Sequence, residues 1–515
     1  MKNNYIYLLC FIVVCLLGFS ACTDLEYLNE DSIIPESGEV STGDPTSLLA
    51  STYGELREFA NERTIFALSD HSSDELLGPT RGTDWSDNGV FKSIHSHGWA
   101  PDHIFIETAW NNLNTGVFRA TQALASSPNA QQEAELKVLR AFNMFHVVDF
   151  WGVQPFREAD EGVDVDPRVM TATEAVDLMV SDLESAMPNL PATSAVSLVN
   201  QNTARALLAK VLLNKAVFTS ADRSTGSFTF DAADMSRVVE LTDAVIASGE
   251  YSLTDGLEGY FNTFAQANDV ESSELIFAVP PTELADYKRR WNMTLHYNQT
   301  PGGWNGFTTL GEFYDSFEAD DVRFGGAYNS ASNPFTATTG TNVGFLIGQQ
   351  FDAAGNQLTT RGGEPLAFTR EIQLNGNSEE KGIRVVKVVP DFSGGSDNTN
   401  DPSNHFVLLR YADVLFMKAE AIHRGGTSSD SADGIITEVR AARGLSAISV
   451  DDTSLLAERG REFYWEGWRR NDLIRFGKFL DAWHLKEQSG PERVLFTIPG
   501  TAIASNPNLT QNAGY

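Results

Sequence analysis

Two stretches of the sequence, residues 69–89 and 289–306, combine tryptophan with glycine, aspartate, asparagine and arginine. Sugars present flat C–H faces and many hydroxyl groups. A carbohydrate site therefore needs exposed aromatic rings and planar polar groups that form paired hydrogen bonds. The two stretches contain both kinds of group and predict a ligand site that works by stacking and hydrogen bonding. The candidate side chains from this argument are Asp70, Trp85, Trp291, Trp304 and Asn305.

The surroundings of each tryptophan indicate whether its ring is exposed. Trp85 lies among glycine, aspartate and serine, without a helical or strand period that would bury it. Glycines beside Trp304 indicate a turn that presents the ring, although tryptophan is highly buried on average and this ring could instead pack beneath its loop. Trp291 is the better of the two as an exposed platform. Trp99 and Trp110 are predicted to lie in the core.

The scaffold that positions these residues is predicted to be mostly α-helical. Apolar residues recur at helical spacing over residues 101–124, 133–149, 171–187, 203–215 and 234–248. Thr171 and Glu174 form a capping-box pattern at the start of one of these helices. The helices are alanine-rich and consecutive, which predicts a tetratricopeptide-like stack of helix pairs, although no clean 34-residue repeat is visible.

A second kind of sequence separates the helices. Residues 271–405 are rich in glycine, asparagine, threonine and aromatic residues, and they predict a loop-rich binding lobe with short strands at 275–279 and 383–389. Helices return from Tyr411 to about residue 480. The predicted organisation is a signal peptide (1–21), an acylated cysteine and tether (22–41), and one domain (42–515) with a helical scaffold over 42–270 and 406–482.

The start of the chain predicts export and a lipid anchor. Lys2 precedes an apolar run over residues 5–19, and the small residues Ser20 and Ala21 precede Cys22. This order is typical of a secretory signal peptide, and the cysteine directly after it predicts acylation of Cys22. The alternative is an ordinary signal peptide cut nearby. The acyl chains would attach the protein to a membrane without a spanning helix.

Composition and spacing argue against several classes of function. The formal net charge is −32, which disfavours nucleic acid and, without a local basic patch, highly sulfated or uronic-acid-rich polymers. The three cysteines all lie at or before Cys22, so no cysteine nucleophile or cysteine metal site is expected. His95 and His97 lack a third ligand at useful spacing. No cofactor is expected, and a structural Ca²⁺ ion stays an open alternative.

Five stretches of the chain, taken in order, resemble the SusD/RagB family. They are LRAF at 139–142 with FWGVQP at 150–155, TARALLAKV at 203–211, LRYADVL at 409–415 with AEA at 419–421, ER at 458–459 with EGWR at 466–469 and DL at 472–473, and IP at 498–499 with NPNLTQNAGY at 506–515. Together with Cys22, they extend the resemblance to the last residue. In addition, the run PTRGTDWSD at 79–87 is similar to the glycan-site segment of a subgroup of SusD-like proteins, which implies Arg81, Asp84 and Trp85 as sugar contacts.

The resemblance implies a mostly α-helical fold with tetratricopeptide-like helix pairs and an irregular, loop-rich lobe. It implies a lipid-anchored protein on the outward face of the outer membrane that captures an oligosaccharide or polysaccharide. It also implies a SusC-like TonB-dependent transporter as the partner that receives the glycan, and it implies no enzymatic activity. RagB-like members bind peptides, so peptide capture is the alternative.

Most charged residues of the family motifs are predicted to be structural. They are Arg410, Asp413, Glu420, Glu462, Glu466, Arg469 and Asp472. Glu462, Glu466 and Arg469 fall on one face of a predicted helix, which favours pairing within that helix. An enzyme such as a glycoside hydrolase needs two facing carboxylates at a fixed separation, and the sequence contains no recognisable pair. A third class, a helical scaffold without a small ligand, would require a tight protein partner.

Overall fold

Apolar residues at helical spacing produce helices where the sequence predicts them. The computed structural model describes residues 43–162, 164–284, 290–395 and 401–515. The predicted signal peptide, the acylation site Cys22 and the tether lie outside these residues. In the described part of the chain, no helix has both the length and the apolar character needed to cross a membrane.

The helix ends follow local capping chemistry. The helices are α1 (Pro45–Gly54), α2 (Val90–His95), α3 (Ile104–Leu124), α4 (Ala130–Trp151), α5 (Ala172–Ala186), α6 (Gln201–Phe218), α7 (Ala232–Ala247), α8 (Gly256–Asn262), α9 (Asn268–Glu271), α10 (Gly311–Asp315), α11 (Phe335–Thr339), α12 (Tyr411–His423), α13 (Ala432–Ala442), α14 (Asp452–Phe463), α15 (Arg469–Arg475) and α16 (Gly500–Ser505). The predicted capping box begins α5, since the Glu174 amide donates to Thr171 Oγ1 and the Thr171 amide donates to the Glu174 carboxylate (3.3 and 2.7 Å).

The long helices form the predicted stack. Each helix from α3 to α7 packs against the next one along the chain, and α7 packs against α12, which in turn packs against α13. Ala204, Ala206 and Ala209 of α6 are all buried, so small side chains lie where the helices approach each other. The prediction of a mostly helical, tetratricopeptide-like fold is confirmed.

Short antiparallel strands occur in both the scaffold and the lobe. The strands are β1 (Val153–Phe156), β2 (Arg168–Thr171), β3 (Leu275–Val279), β4 (Gly325–Gly326), β5 (Val343–Leu346), β6 (Gly348–Gln349), β7 (Ala367–Phe368), β8 (Arg384–Val386) and β9 (Phe406–Arg410). They pair as β1–β2, β3–β9, β4–β5–β8 and β6–β7. The strand predicted at 275–279 is confirmed, and the one predicted at 383–389 is shortened to β8. Because Leu275 of β3 lies opposite Arg410 of β9, the two ends of the lobe meet.

Apolar clusters fill the scaffold and the lobe. The larger cluster is formed mainly by α3 to α7, includes Trp99 and Trp110, as predicted, and extends into the lobe through Phe277 and Phe307. A second cluster lies mostly in the lobe and includes Trp291 and, from the scaffold, Tyr464. Apolar packing therefore contributes to the contact between scaffold and lobe, but it is not directional and does not by itself set their relative position.

A buried carboxylate, Glu462 of α14, connects the two parts. It accepts hydrogen bonds from Arg323 Nη1 (3.1 Å), from Arg410 Nη1 (2.8 Å) and from Arg443 Nη2 (2.8 Å). Burial alone would raise the pKa of Glu462, but Arg443, Arg410 and Arg323 hold it well below its usual range. Arg323 belongs to the lobe, whereas Arg410 and Arg443 border helices of the scaffold, so one ionised carboxylate joins both.

The prediction that the charged motif residues are structural agrees with these contacts, but pairing within one helix is wrong. α14 ends at Phe463 because the chain turns at Trp465 (φ 59°) and Gly467 (φ 84°). Glu466 instead accepts from Arg410 and from Lys387 (2.9 and 2.6 Å). These partners are distant in sequence, and helical spacing could not have identified them.

A second buried set of ion pairs connects helices of the scaffold to one another. Its pairs are Lys210–Asp413, Arg459–Asp413, Arg459–Asp472, Arg475–Asp472 and Arg475–Glu420. These contacts join α6, α12, α14 and α15, and their charges alternate, so each buried charge has an opposite neighbour. Such pairing is the condition under which buried charges are tolerated.

We predict that Glu462→Gln strongly destabilises the protein. The substitution leaves three buried guanidinium groups around a neutral amide, and breaking buried ion pairs in this way costs about 3–5 kcal/mol. The free energy of unfolding, measured by urea denaturation, should fall by that amount. Glu240→Gln is the matched control, because Glu240 pairs only with Arg237 on the surface, and it should change the free energy of unfolding by less than about 0.5 kcal/mol. Equal effects of the two substitutions would contradict the role assigned to Glu462.

Candidate functional site

A cleft of about 750 Å³ opens between three segments of the chain. They are residues 81–84, residues 297–305 and residues 360–380. The lining is mostly polar, and the first two segments belong to the two stretches that the sequence singled out. We call this space the polar cleft. The third segment lies within the predicted loop-rich binding lobe (271–405), but none of its residues is among the predicted contacts.

Arg81 fixes the three segments of the polar cleft to one another. Its Nε donates to the Gly306 carbonyl (3.3 Å), and its Nη1 donates to the carbonyls of Ser378 (3.2 Å) and Lys381 (2.6 Å). The side chain is buried, and burial lowers the pKa of Arg81 to about 9. Two of its nitrogens thus hold backbone carbonyls, and its predicted role as a sugar contact stays a prediction.

Trp85 supports the neighbouring loop. Its backbone has a positive φ (60°), and its Nε1 donates to the Trp304 carbonyl (2.8 Å). The ring lies against Gly306, where an added Cβ would come within 2.3 Å of it, so only glycine fits at that position. Phe307 and Phe91 pack against the same ring (centroids 5.3 and 5.9 Å apart). Trp85 is therefore a half-buried ring with a fixed position.

Trp304 provides an exposed aromatic ring next in sequence to a residue of the cleft lining. Its side chain is 48% exposed, and the next residue, Asn305, lines the cleft. Its backbone is held on both sides, because its amide donates to the Asn292 carbonyl (2.6 Å) and its carbonyl accepts from Trp85. The structure thus agrees with the prediction of a turn that presents this ring, and it contradicts the alternative of a ring packed beneath the loop.

Asn305 lines the cleft but uses its polar atoms within the protein. It is buried, and its Oδ1 accepts from Arg384 Nε (3.1 Å) and Nη2 (2.7 Å). Its Nδ2 donates to the Glu379 carbonyl (3.1 Å). Burial, followed by repulsion from Arg81, lowers the pKa of Arg384 well below its usual range. Asn305 therefore holds the buried guanidinium group of Arg384.

A cluster of five polar side chains lies across the cleft. Arg361 Nη2 and the Tyr297 hydroxyl both donate to Asp84 Oδ2 (3.0 and 3.1 Å). Arg361 Nε donates to Glu379 Oε1 (2.5 Å), and His296 Nε2 lies 3.0 Å from Glu379 Oε2. The Arg361 guanidinium also lies over the Tyr297 ring, 4.1 Å from its centroid. The cluster thus connects residues 84, 296–297, 361 and 379.

Local charges set the ionisation of this cluster. Burial alone would raise the pKa of Glu379, but hydrogen bonds from the Arg361 backbone and side chain and from His296 lower it. Burial and the hydrogen bond to Asp84 raise the pKa of Tyr297. The carboxylate therefore stays ionised and the phenol stays protonated at neutral pH, so the cluster can both donate and accept hydrogen bonds.

Two predicted contacts lie in the core instead of the cleft. Trp291 is only 2% exposed, which corrects the expectation of an exposed platform. Trp291, Met293 and Leu295 are all buried, and this alternation was the signal that could have indicated it. Asp70 is also fully buried, on a π-helical turn (Ala67–His71). Neither residue lines the polar cleft.

Contacts with the family motif around residue 466 explain the burial of Asp70. Its neighbour Asp74 accepts from Arg469 Nε and Nη2 (both 2.7 Å), and Glu75 accepts the Trp465 amide (2.8 Å). Residues 70–75 are thereby held on the scaffold. The flanking Leu68, Leu76 and Leu77, all buried, were the sequence signal that this stretch belongs to the core.

The histidine pair is also part of the core. His97 Nε2 lies 2.8 Å from the Ser72 carbonyl, and its Nδ1 lies 2.9 Å from Ser489 Oγ. His95 Nε2 lies 3.2 Å from the His484 carbonyl. Within the described ranges, no three histidine, cysteine, aspartate or glutamate side chains are grouped to hold a metal ion.

Comparison with known proteins finds SusD proteins. The model of the SusD family matches residues 273–493, which contain almost all of the lobe and four of the later helices, α12 to α15. The starch-binding protein SusD of Bacteroides thetaiotaomicron is 23% identical over 498 residues, which cover 88% of this chain and 85% of that protein. The chain is thus similar to SusD proteins, by the family model over residues 273–493 and by this relative over most of its length.

Solved structures of SusD proteins share the fold. A SusD superfamily protein from Parabacteroides distasonis superposes with a TM-score of 0.70 at 20% identity and covers 92% of this chain and 98% of its own. Surface glycan-binding protein A from Bacteroides thetaiotaomicron, in complex with laminarihexaose, superposes with a TM-score of 0.67 at 19% identity, over 91% of this chain and 98% of its own. At these identities the similarity establishes the fold of this chain.

We predict that Asp70 makes the stability of the protein dependent on pH. Burial, opposed by Arg290, raises the pKa of Asp70 to about 8, whereas an unfolded aspartate titrates near about 3.9. A raised folded-state pKa means that stability is fully present below the unfolded pKa and is lost as pH rises through the folded pKa. Asp70→Asn should therefore be more stable than the parent at pH 8, by at least about 1 kcal/mol, and equal to it near pH 4.

The measurement is the free energy of unfolding from pH 4 to pH 8.5, by urea denaturation, for the parent and Asp70→Asn. Asp160→Asn is the control, because Asp160 is exposed and the substitution should leave the slope unchanged. A parent whose stability is constant over this range, or a variant with the parent's slope, would contradict the prediction.

Proposed function

We propose that the chain captures an oligosaccharide or polysaccharide at the cell surface, in the polar cleft and on the ring of Trp304. Two observations carry this proposal: the Trp304 side chain is exposed, and the next residue, Asn305, lines a cleft that contains many hydrogen-bonding groups. An indole face suits the C–H face of a sugar ring, and forked polar groups suit pairs of neighbouring hydroxyls. The names of relatives support the same ligand class, since one is a starch-binding protein and another is a surface glycan-binding protein in complex with laminarihexaose.

The residues of the site have different parts in this proposal. Trp304 provides the stacking surface, and Trp85 fixes its position through the hydrogen bond to its carbonyl. Asp84 and Tyr297 offer an acceptor and a donor at the cleft wall. Arg81 and Asn305 hold the three segments in fixed positions relative to one another. A site that is held in this way before binding loses little conformational entropy when the ligand enters.

The charges of the lining favour uncharged sugars. Two arginines line the polar cleft, Arg81 and Arg361, and both hold groups of the protein. The carboxylates of the lining are Asp84, Glu364, Glu379 and Glu380. Because acidic groups outnumber basic ones here, as they do in the whole chain, sulfated and uronic-acid-rich glycans would be repelled.

The sequence supports the cellular context of this proposal. Acylation of Cys22 would anchor the protein in the outer membrane, with the binding domain facing outward. A SusC-like TonB-dependent transporter would then receive the glycan from the cleft. Metabolic labelling with a palmitate analogue tests the anchor, because Cys22→Ser should abolish incorporation of the label. Copurification of the transporter with the full-length protein tests the partnership.

We predict that Trp304→Ala weakens glycan binding by at least about tenfold, because exposed tryptophans that stack on a ligand are typical binding hot spots. The measurement is isothermal titration calorimetry of the mature protein against neutral polysaccharides, with Trp304→Phe expected to lie between the parent and the alanine variant. Ile104→Ala is the matched control, because Ile104 is another exposed apolar residue and lies at the start of α3, outside the three segments that line the cleft.

The outcomes separate the ligand classes. Binding of a neutral glycan by the parent and the control, with loss in Trp304→Ala and an unchanged circular dichroism spectrum, supports the proposal. Binding of peptides and of no glycan would overturn the carbohydrate assignment in favour of the peptide alternative. Equal glycan affinity of all variants would place the site elsewhere on the protein.

A further inference from the structure

Arg361 crosses the polar cleft and covers a ring that lines it. Its guanidinium lies 4.1 Å from the centroid of Tyr297 and donates to Asp84 and Glu379 on either side. Its backbone amide also donates to Glu379 (2.9 Å). The ring of Tyr297, a residue of the cleft lining, therefore has one face occupied by a side chain of the same protein.

The segment that carries Arg361 is an exposed turn. It lies in the connection between β6 and β7 and is closed by a bridge between Thr359 and Pro365. The turn closes through a hydrogen bond from the Thr360 amide to the Glu364 carbonyl (2.7 Å), and Gly362 and Gly363 follow the arginine. Residues 361–365 are all exposed. Apart from the Arg361 contacts, Asn298 holds the turn through a bond to the Thr359 carbonyl (2.7 Å).

The contacts of Arg361 are of a kind that can open. Its side chain is 53% exposed, and that of Asp84 is 40% exposed. Ion pairs at such exposure are weak and are screened by salt, in contrast to the buried pairs around Glu462. A guanidinium that leaves this position keeps its access to water, and Glu379, whose side chain is 19% exposed, keeps its contact with His296.

We propose that Arg361 is a latch that holds the polar cleft closed over Tyr297 and that a glycan must displace to stack on that ring. This inference rests on the proposed glycan-binding function. In the closed form, the guanidinium occupies the place where a sugar ring would lie. The measured affinity is then the intrinsic affinity reduced by the fraction of molecules in which the latch is open.

Two consequences distinguish a latch from a direct ligand contact. Removing the side chain raises the affinity for a neutral glycan if Arg361 is a latch, whereas it lowers the affinity if the guanidinium binds the sugar. In addition, salt weakens the contacts of the latch, so the parent binds a neutral glycan more tightly at high ionic strength. An uncharged ligand has no ion pair of its own to be screened.

The test is titration of the mature parent, Arg361→Ala, Arg361→Lys and Arg370→Ala with a neutral glycan bound by the parent, at 0.02 M and 0.5 M NaCl. Arg361→Ala is expected to bind about three- to tenfold more tightly than the parent at low salt and to lose the dependence on salt. Arg361→Lys retains the charge without the planar fork and should lie between them. Arg370 pairs with Asp315 at similar exposure outside the cleft, so its substitution should leave the affinity unchanged.

A second measurement needs no glycan. Nitration of Tyr297 by tetranitromethane, followed by peptide mass spectrometry, should be faster in Arg361→Ala than in the parent and in Arg370→Ala, because the ring face is uncovered. Unchanged nitration of Tyr297, or a lower glycan affinity of Arg361→Ala, would overturn the latch. If no variant binds any glycan, the proposed function fails, and the nitration rates alone decide whether Arg361 covers the ring.

Discussion

The position of the lobe on the scaffold depends on one buried carboxylate. Glu462 is surrounded by the guanidinium groups of Arg323, Arg410 and Arg443, each at hydrogen-bond distance and away from water. A charge can stay ionised in such a place only if its partners remain in position. The lobe and the scaffold each have an apolar core, but apolar packing is not directional. The fixed geometry of guanidinium and carboxylate groups sets the orientation that apolar packing leaves open.

Arginine–carboxylate pairs have a different role in the polar cleft, because their side chains are more exposed to water there. Around Glu462, the charges are desolvated and each depends on all its neighbours. Around Glu379, the side chain of Arg361 is half exposed, so water can replace the contacts of its guanidinium group. Arg81 lies between these cases, since it is buried but bonds to backbone carbonyls. Buried side chains thus hold a fixed structure, whereas the more exposed ones are able to exchange their hydrogen-bond partners.

Local sequence predicts the scaffold well and the site in part. Helical spacing and capping residues such as Thr171 act within a few residues, so the positions of the long helices and of β3 follow from the sequence. The exposed ring of Trp304 also follows from its neighbouring glycines. The burial of Trp291 and Asp70 does not, because it depends on segments far along the chain. The grouping of Asp84 with Arg361 is also non-local, since 277 residues separate them.

The pairing of β3 with β9 has a consequence for variation within the family. The two strands leave the scaffold side by side, so the 126 residues between Val279 and Phe406 begin and end at the same place. A segment with joined ends can be lengthened, shortened or exchanged without rethreading the helices, and the entropy of closing a longer loop grows only slowly. The lobe can in this sense be exchanged while the helical scaffold stays the same. New ligands would require changes in the lobe and in residues 81–85, which contribute to the site from outside this segment, provided that an arginine still faces Glu462.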